Sequence, residues 1–530
     1  MNGWLVGLGA LGVGGYALSR IHARHGQAQE EHALVRRRLD ARRRRECDAV
    51  LRDFNSTRGY LAGHVAKGSD IRGWIDGGIS PADLRAELDA RAESISGPLL
   101  GYLDRDGEEI PVRLPDSLRA RHQYQVGRTG TGKTTALRRM ILQDLEAGHG
   151  LAVVAPEAEM ISDELLPYIP RSRWDDVVVV DPGDLNFPVS FNPLHLDEGE
   201  DLDLKSAELM AIFQRLAEDT ATAAPRMEMI LRQALYALLP IPNTTLLDIE
   251  RLLDRQDDGF RRWIIEQTRD EETRRFWRDI YSAYPKDAHL SLVNRLGRFL
   301  RPRTVRNLLC QPGPSFNVRR AMDEQRVILF KLSDGLLGEE NAQLLGQLVV
   351  AKLQIAALSR ANIPQHQRRL FMVYVDEFQR FANVAATSYE VMLSRARKYG
   401  LGLVLAHQQT GQIGENLMRE ILGNVGTVVA FQVGASDARR LSRELVGEVD
   451  GHLMPVEAEQ LVSLRTGEAV CRIGRSVFRL RTLPPPAGGH PKVREEVIRR
   501  SRARYARPAA TAERAPRTNG LNGLNPGEAL

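Results

Sequence analysis

The sequence predicts an α/β protein built on a large, mostly parallel sheet with helices on both faces and an all-helical domain inserted into its connectivity. Two observations carry this. Near-continuous apolar runs, rich in β-branched residues, occur at Leu151–Ala155, Val177–Val180, Val327–Phe330, Phe371–Val375, Leu401–Leu405 and Val428–Phe431. They lack the polar alternation of a half-solvated strand, so each is expected to be covered on both faces, as in parallel sheets. Between about residues 200 and 315 such runs stop, and apolar residues recur at helical spacing through Ala207–Phe213, Met227–Leu239 and Ile280–Leu300.

The chain has 530 residues, 43% of them hydrophobic, which is enough for two folded domains with their own ends. Its net charge is only +5, but the arginines are clustered, and such basic segments suit phosphates or anionic lipid. Cys47, Cys310 and Cys471 are isolated and the histidines scattered. No disulfide framework or structural metal site is expected, in keeping with a reducing cytoplasm.

At the N-terminus, Trp4–Leu18 is an uninterrupted apolar and glycine run, and residues 1–19 read as a membrane anchor. Arg20, Arg24, Arg36–Arg38 and Arg42–Arg45 all follow it, which predicts a single pass with this side in the cytoplasm. Gly3 with Gly7 and Ala10 with Gly14 have the spacing that lets a second membrane helix approach. The arginine run fits a solvated or lipid-facing helix better than a DNA site. Residues 20–118 form a basic juxtamembrane and N-terminal region, in which Ser80 is an expected helix cap with Pro81 in the first turn. In the helical domain, assigned to 200–315, Arg298, Arg301, Arg303 and Arg306 make a solvated face or a DNA contact. Residues 486–530 begin with a charged helix around Val493–Tyr505 and continue as an Arg, Pro, Ala, Gly and Asn tail too polar to fold.

The chemistry centres on Gly127-Arg128-Thr129-Gly130-Thr131-Gly132-Lys133-Thr134-Thr135. This matches G-x-x-x-x-G-K-[ST] in the required setting, after the short strand Gln123–Val126 and before the helical spacing of Ala136–Leu142. The glycines let successive N–H groups and the helix N-terminus face one phosphate chain. Lys133 is placed to reach the β- and γ-phosphates of ATP, and the Thr134 hydroxyl to hold Mg2+.

A second element separates ATPases from other users of such a loop. The apolar strand Phe371–Val375 runs into Asp376-Glu377. Asp376 suits the Mg2+ shell, and Glu377 suits the proton of an attacking water. A third strand, Leu401–Ala406, ends in His407-Gln408-Gln409, where ligands of open α/β sheets bind. There Gln408 is a candidate sensor of the γ-phosphate.

Taken with Phe191-Asn192-Pro193-Leu194, Asp376-Glu377-Phe378, Ala396-Arg397-Lys398-Tyr399-Gly400-Leu401, His407-Gln408 and Asp437-Ala438, the loop makes the sequence recognisable. From about residue 115 to 485 it resembles the coupling ATPases of conjugative type IV secretion systems, within the FtsK-HerA superfamily of ring-shaped DNA motors. The resemblance implies a RecA-like P-loop ATPase core, over 119–199 and 316–485, that binds ATP and Mg2+. It implies metal binding and water activation at Asp376 and Glu377, and a sensor at Gln408. Arg397, with Arg395 beside it as a substitute, would complete the neighbouring subunit's site in a ring, by expectation a hexamer. DNA bound without regard to sequence, secretion-channel or relaxosome proteins, and the membrane are the implied partners. A HerA-like motor for DNA processing or defence and a nucleotide-dependent protein scaffold are the alternatives. Typical coupling proteins carry two membrane helices with a small outer domain between them, whereas one apolar run is found here.

Overall fold

The apolar runs become neighbouring strands. In a computed structural model of the chain, which describes residues 6–105, 107–215, 224–285, 287–382, 386–449 and 452–509, two compact units are formed, 1–95 and 96–530. The strands of the second unit are β1 (Leu99–Arg105), β2 (Glu108–Arg113), β3 (Gln123–Val126), β4 (Gly150–Ala155), β5 (Val177–Val180), β6 (Val327–Lys331), β7 (Phe371–Val375), β8 (Leu401–His407), β9 (Thr427–Ala430), β10 (Val446–Val449), β11 (His452–Pro455), β12 (Glu468–Ile473) and β13 (Ser476–Thr482). One 11-stranded sheet has the order β2-β1-β13-β12-β9-β3-β8-β7-β4-β6-β5, and β10 and β11 pair separately.

From β9 to β5 every pairing is parallel, and from β12 to β2 every pairing is antiparallel. The parallel strands therefore end at a common edge, where their loops meet. Their two faces differ. Tyr124, Val126, Val154, Val373, Val375, Leu403 and Leu405 join the main apolar core with the buried helix Glu339–Leu358. The opposite face carries Gln123, Gln125 and Tyr374 toward the helix Lys133–Glu146, where the amides of Gln123 and Gln125 each lie 3.6 Å from Met140 Sδ.

The antiparallel extension moves a boundary. Residues 99–113, assigned from sequence to the N-terminal region, are sheet strands β1 and β2. Ile110, Val112 and Leu114 are buried in alternation with Pro111 and Arg113, a period-two signal that outweighs the charge of the surrounding segment. The C-terminal boundary moves too. The helix Pro491–Tyr505 packs on β5, where Ser501 Oγ accepts the Val179 N–H at 2.9 Å. Ala506 then bridges to Val189, so the chain to residue 509 belongs to the core, and residues 510–530, expected as an unfolded tail, lie outside the described residues.

Among the described residues, 202–309 contain helices and no strand. This helical segment is tied to the sheet by Phe191–Leu194. Asn192 Nδ2 donates to Thr244 O at 2.7 Å, Asn192 Oδ1 accepts the Leu194 N–H at 3.0 Å, and the Phe191 ring meets Phe330 edge-on at 5.6 Å.

In the first unit, a helix runs Val6–Arg58, and Cys47, Phe54, Leu61, Val65, Ile75, Leu84 and Leu88 form its core with the shorter helices that follow. Ser80 caps as expected, its Oγ accepting the Asp83 N–H at 3.1 Å. Residues 1–5 of the expected anchor, and the side chains to residue 29, lie outside the described residues. Among those described, one helix is long and apolar enough to cross a membrane, Glu339–Asn362; 83% of its apolar window is buried, so it is the core helix of the sheet.

Candidate nucleotide site

The phosphate loop sits at the common edge of the parallel strands, held from both sides. The Gly127 N–H donates to His407 O at the end of β8 at 3.2 Å, and the Arg128 N–H to Gln432 O beyond β9 at 3.0 Å. Thr131 Oγ1 closes the turn on Arg128 O at 2.7 Å. Gly130 and Gly132 have φ of +78° and +108°, the left-handed region where a side chain is strained. Gly127 is fixed by space instead, since a Cβ there would lie 2.5 Å from Phe431 Cβ. Arg128 and Thr129 are exposed at the rim, and Thr134 and Thr135 half-buried in the first helical turn.

Lys133, Asp376 and Glu377, separated by more than 240 residues in sequence, meet here. Lys133 Nζ donates to Asp376 Oδ1 at 3.1 Å and to Glu377 Oε1 at 2.9 Å, with all three side chains buried. The Thr134 hydroxyl faces Asp376 Oδ2 at 3.5 Å. Glu377 has φ of +47°, which for a non-glycine residue is a strained conformation that turns its carboxylate into the site. Gln379 Nε2 also donates to Glu377 at 2.5 Å, and the Gln408 side chain faces the same carboxylate.

The two carboxylates are pushed apart electrostatically. Burial raises Asp376, and Glu377 adds to this, against the pull of Lys133. Burial would raise Glu377 too, but Lys133, the hydrogen bond from Gln379 and the nearby Gln408 amide bring it below the usual range. Burial works against the Lys133 charge, and the two carboxylates overcome it, holding its pKa above the ordinary value. The site thus holds an ionised base beside a hydrogen-bonded amide, with a carboxylate and a hydroxyl facing each other where a divalent cation would be held. This donor set fits Mg2+, and Lys133 now supplies the positive charge between the acids.

Gln408 therefore joins Lys133, Asp376 and Glu377, and Arg397 does not. Arg397 is exposed in a short turn, Ala396–Tyr399, that precedes β8, at the strand edge opposite the phosphate loop. Seven residues of β8 place about 20 Å between the two edges. Arg395 is exposed beside it. Asp437, from the last motif, accepts from Thr410 Oγ1 at 2.5 Å and so fixes the segment after Gln408.

Two contributors, Glu157 and the turn at Gly467, were missed in the sequence, and His407 gains a structural role. Glu157 follows β4, whose Val154 O accepts the Asp376 N–H at 3.2 Å, and its carboxyl is raised by burial and by Asp376 and Glu377. The turn Thr466-Gly467 lies on the phosphate loop, with the Gly467 N–H donating to Thr131 O at 2.9 Å and Thr466 Oγ1 to Gly130 O at 3.4 Å. His407 is fully buried, hydrogen-bonded through Nε2 to the Tyr124 hydroxyl and packed edge-on against Phe378 at 4.9 Å. No local pattern announces Glu157 or Gly467, because strand order alone brings them to the loop.

Comparison with known families settles the kind of fold that carries this site. Residues 305–460 match the type IV secretion-system coupling protein DNA-binding domain. The matched stretch holds Asp376, Glu377, Arg397 and Gln408 but not the phosphate loop, which stands on its own geometry. Among solved structures, the bacterial conjugative coupling protein TrwBdeltaN70 aligns at 17% identity over 75% of this chain and 91% of its own, with a TM-score of 0.53. Plasmid coupling protein TrwB in complex with ADP and Mg2+ aligns at 16% identity over 76% and 94%, with a TM-score of 0.55. VirB4 of Thermoanaerobacter pseudethanolicus aligns at 19% identity over 74% and 97%, with a TM-score of 0.50. At such identities the likeness is one of fold, and the chain has the RecA-like ATPase fold of these proteins. No curated protein sequence matches it.

Proposed function

We propose that the protein is a ring-forming, ATP-dependent DNA translocase that feeds DNA to a conjugative type IV secretion channel. The observation that carries this reading is the convergence of Lys133, Thr134, Asp376, Glu377 and Gln408 at one sheet edge, within the fold that coupling ATPases share. In it, the loop N–H groups and Lys133 bind the phosphates of ATP, Lys133 exchanging its two carboxylates for the β- and γ-phosphate oxygens. Thr134 and Asp376 would hold Mg2+, which would supply positive charge at the phosphates. Glu377 accepts the proton of the attacking water, and Gln408 links that carboxylate to the γ-phosphate. Arg397 lies too far from its own loop to act there and is assigned to the next subunit's site, where it stabilises charge on the transferring phosphoryl group. The ring is proposed to be a hexamer, tethered to the bacterial inner membrane by residues 1–19, with relaxosome or channel proteins as further partners.

The test is steady-state ATP hydrolysis by the full chain in detergent, with and without DNA, across salt concentration. Arginine and lysine contacts to phosphates release counterions, so DNA stimulation is expected to fall steeply as salt rises. Lys133→Ala is expected to abolish nucleotide binding or turnover, and Glu377→Gln to bind ATP and stall. A turnover that survives both changes overturns the site, and an assembled ring indifferent to DNA overturns the motor.

A further inference from the structure

The helix that follows the phosphate loop turns one apolar stripe to the sheet, with Leu137, Met140, Ile141 and Leu145 buried along it. Asp144 falls in the same stripe and is only 1% exposed. A lone carboxylate there would be severely destabilising, so its partners matter. Asp144 Oδ2 accepts the Tyr374 hydroxyl at 2.6 Å and a hydrogen bond from Arg119 Nη2. The same Nη2 donates to Tyr374 Oη at 3.1 Å, and Arg119 Nη1 holds Asp116 Oδ1 at 3.0 Å. Arg119 and Tyr374 are as fully buried as Asp144.

Each member comes from an element that builds the site. Arg119 ends the short helix Asp116–Arg119 that leads into β3, Asp144 is on the helix that leaves the loop, and Tyr374 is on β7. Side chains alternate along a strand, so Tyr374 shares a face with Asp376, about 7 Å along β7. Asp144 lies ten residues beyond Thr134, about 15 Å along the helix. Apolar packing between a helix and a sheet permits small slides, whereas three directional, charge-assisted hydrogen bonds fix one position.

We propose that Arg119, Asp144 and Tyr374 form a clamp that sets the helix against β7, and thereby the gap across which Thr134 Oγ1 and Asp376 Oδ2 face each other. They are positioning residues for the cation that accompanies the nucleotide. The proposal rests on the nucleotide-site reading above and concerns how that site is tuned.

The experiment is titration of the full chain with a fluorescent ADP analogue, with and without Mg2+, beside a thermal melt of each protein. Tyr374→Phe keeps the ring and removes the hydroxyl. The Mg2+-dependent gain in nucleotide affinity is expected to shrink about tenfold, as when outer partners of metal ligands are lost, while Mg2+-free affinity stays as in the unaltered protein. Arg119→Lys keeps the charge, loses the fork that bridges Asp144 and Asp116, and is expected to act in the same direction, so it carries the test should Tyr374→Phe not fold. An unchanged Mg2+ gain in a folded variant, with or without a lower melting temperature, assigns the trio to stability alone and overturns the clamp. Lys133→Ala tests the underlying reading separately, because analogue binding that survives it places the nucleotide elsewhere whatever Tyr374→Phe does.

Discussion

His407 shows how one residue serves both structure and site. Its backbone oxygen receives the first N–H of the phosphate loop, while its ring is buried between Tyr124 and Phe378. Burial, helped by the positive charge of Lys133, pushes its pKa down to about 3. Burial also lowers His122, at the opposite edge of the sheet, to about 4, the backbone hydrogen bonds it makes being too weak to restore it. Both imidazoles are neutral in the folded protein, and in the unfolded chain they titrate near 6.5. Depressed folded values mean that the unfolded state binds more protons as pH falls, so stability is complete above about pH 6.5 and is lost from there downward. Each histidine is expected to cost about 1.4 kcal/mol per pH unit between pH 6 and 5. Urea denaturation at several pH values checks this, and His122→Gln should remove its half of the slope.

At the scale of elements, the sheet ends differently on its two sides. The β2 side is extended by antiparallel strands, whereas the β5 side is covered by the helix Pro491–Tyr505. Arg494 pairs with Asp163, Arg500 with Asp175 and Arg502 with Asp184 along that helix, each at 2.6–2.7 Å and in partly exposed settings worth little individually. Ser501 is different. It is 2% exposed and satisfies an edge N–H of β5 that water does not reach. Ser501→Ala is expected to lower unfolding stability by about 1–3 kcal/mol, the cost of a buried donor left unpaired, which chemical denaturation measures. A serine to cover an edge is one way a sheet avoids pairing with another chain.

For the whole molecule, the decisive relation is between the two edges of the sheet. Lys133 and Glu377 lie at one and Arg397 at the other. A subunit with Arg397→Ala and one with Lys133→Ala are each expected to be inactive alone. Mixed, they should recover part of the hydrolysis wherever an intact loop meets an intact arginine. Absence of recovery in rings that contain both proteins would overturn the assignment of Arg397 to the neighbouring site.

Much of this was legible in the chain itself, because the signals are local. Five apolar residues before Asp376-Glu377 specify a covered strand ending in acids, and a glycine-rich turn between strand and helix specifies an anion cradle whatever surrounds it. The helical character of 200–315 was equally plain, since periodicity needs only neighbours in sequence. The sequence left β1 and β2 in the wrong region: their hairpin is local, but what joins it to the sheet is the pairing of β1 with β13, more than 370 residues away, which no local window contains. Glu157, Gly467 and the buried trio Arg119, Asp144 and Tyr374 were hidden for the same reason. Residue types and their order determined which chemistry the protein can perform; strand order decided which distant side chains meet to perform it, because hydrogen bonds and charges act over a few ångströms of space and are blind to separation along the chain.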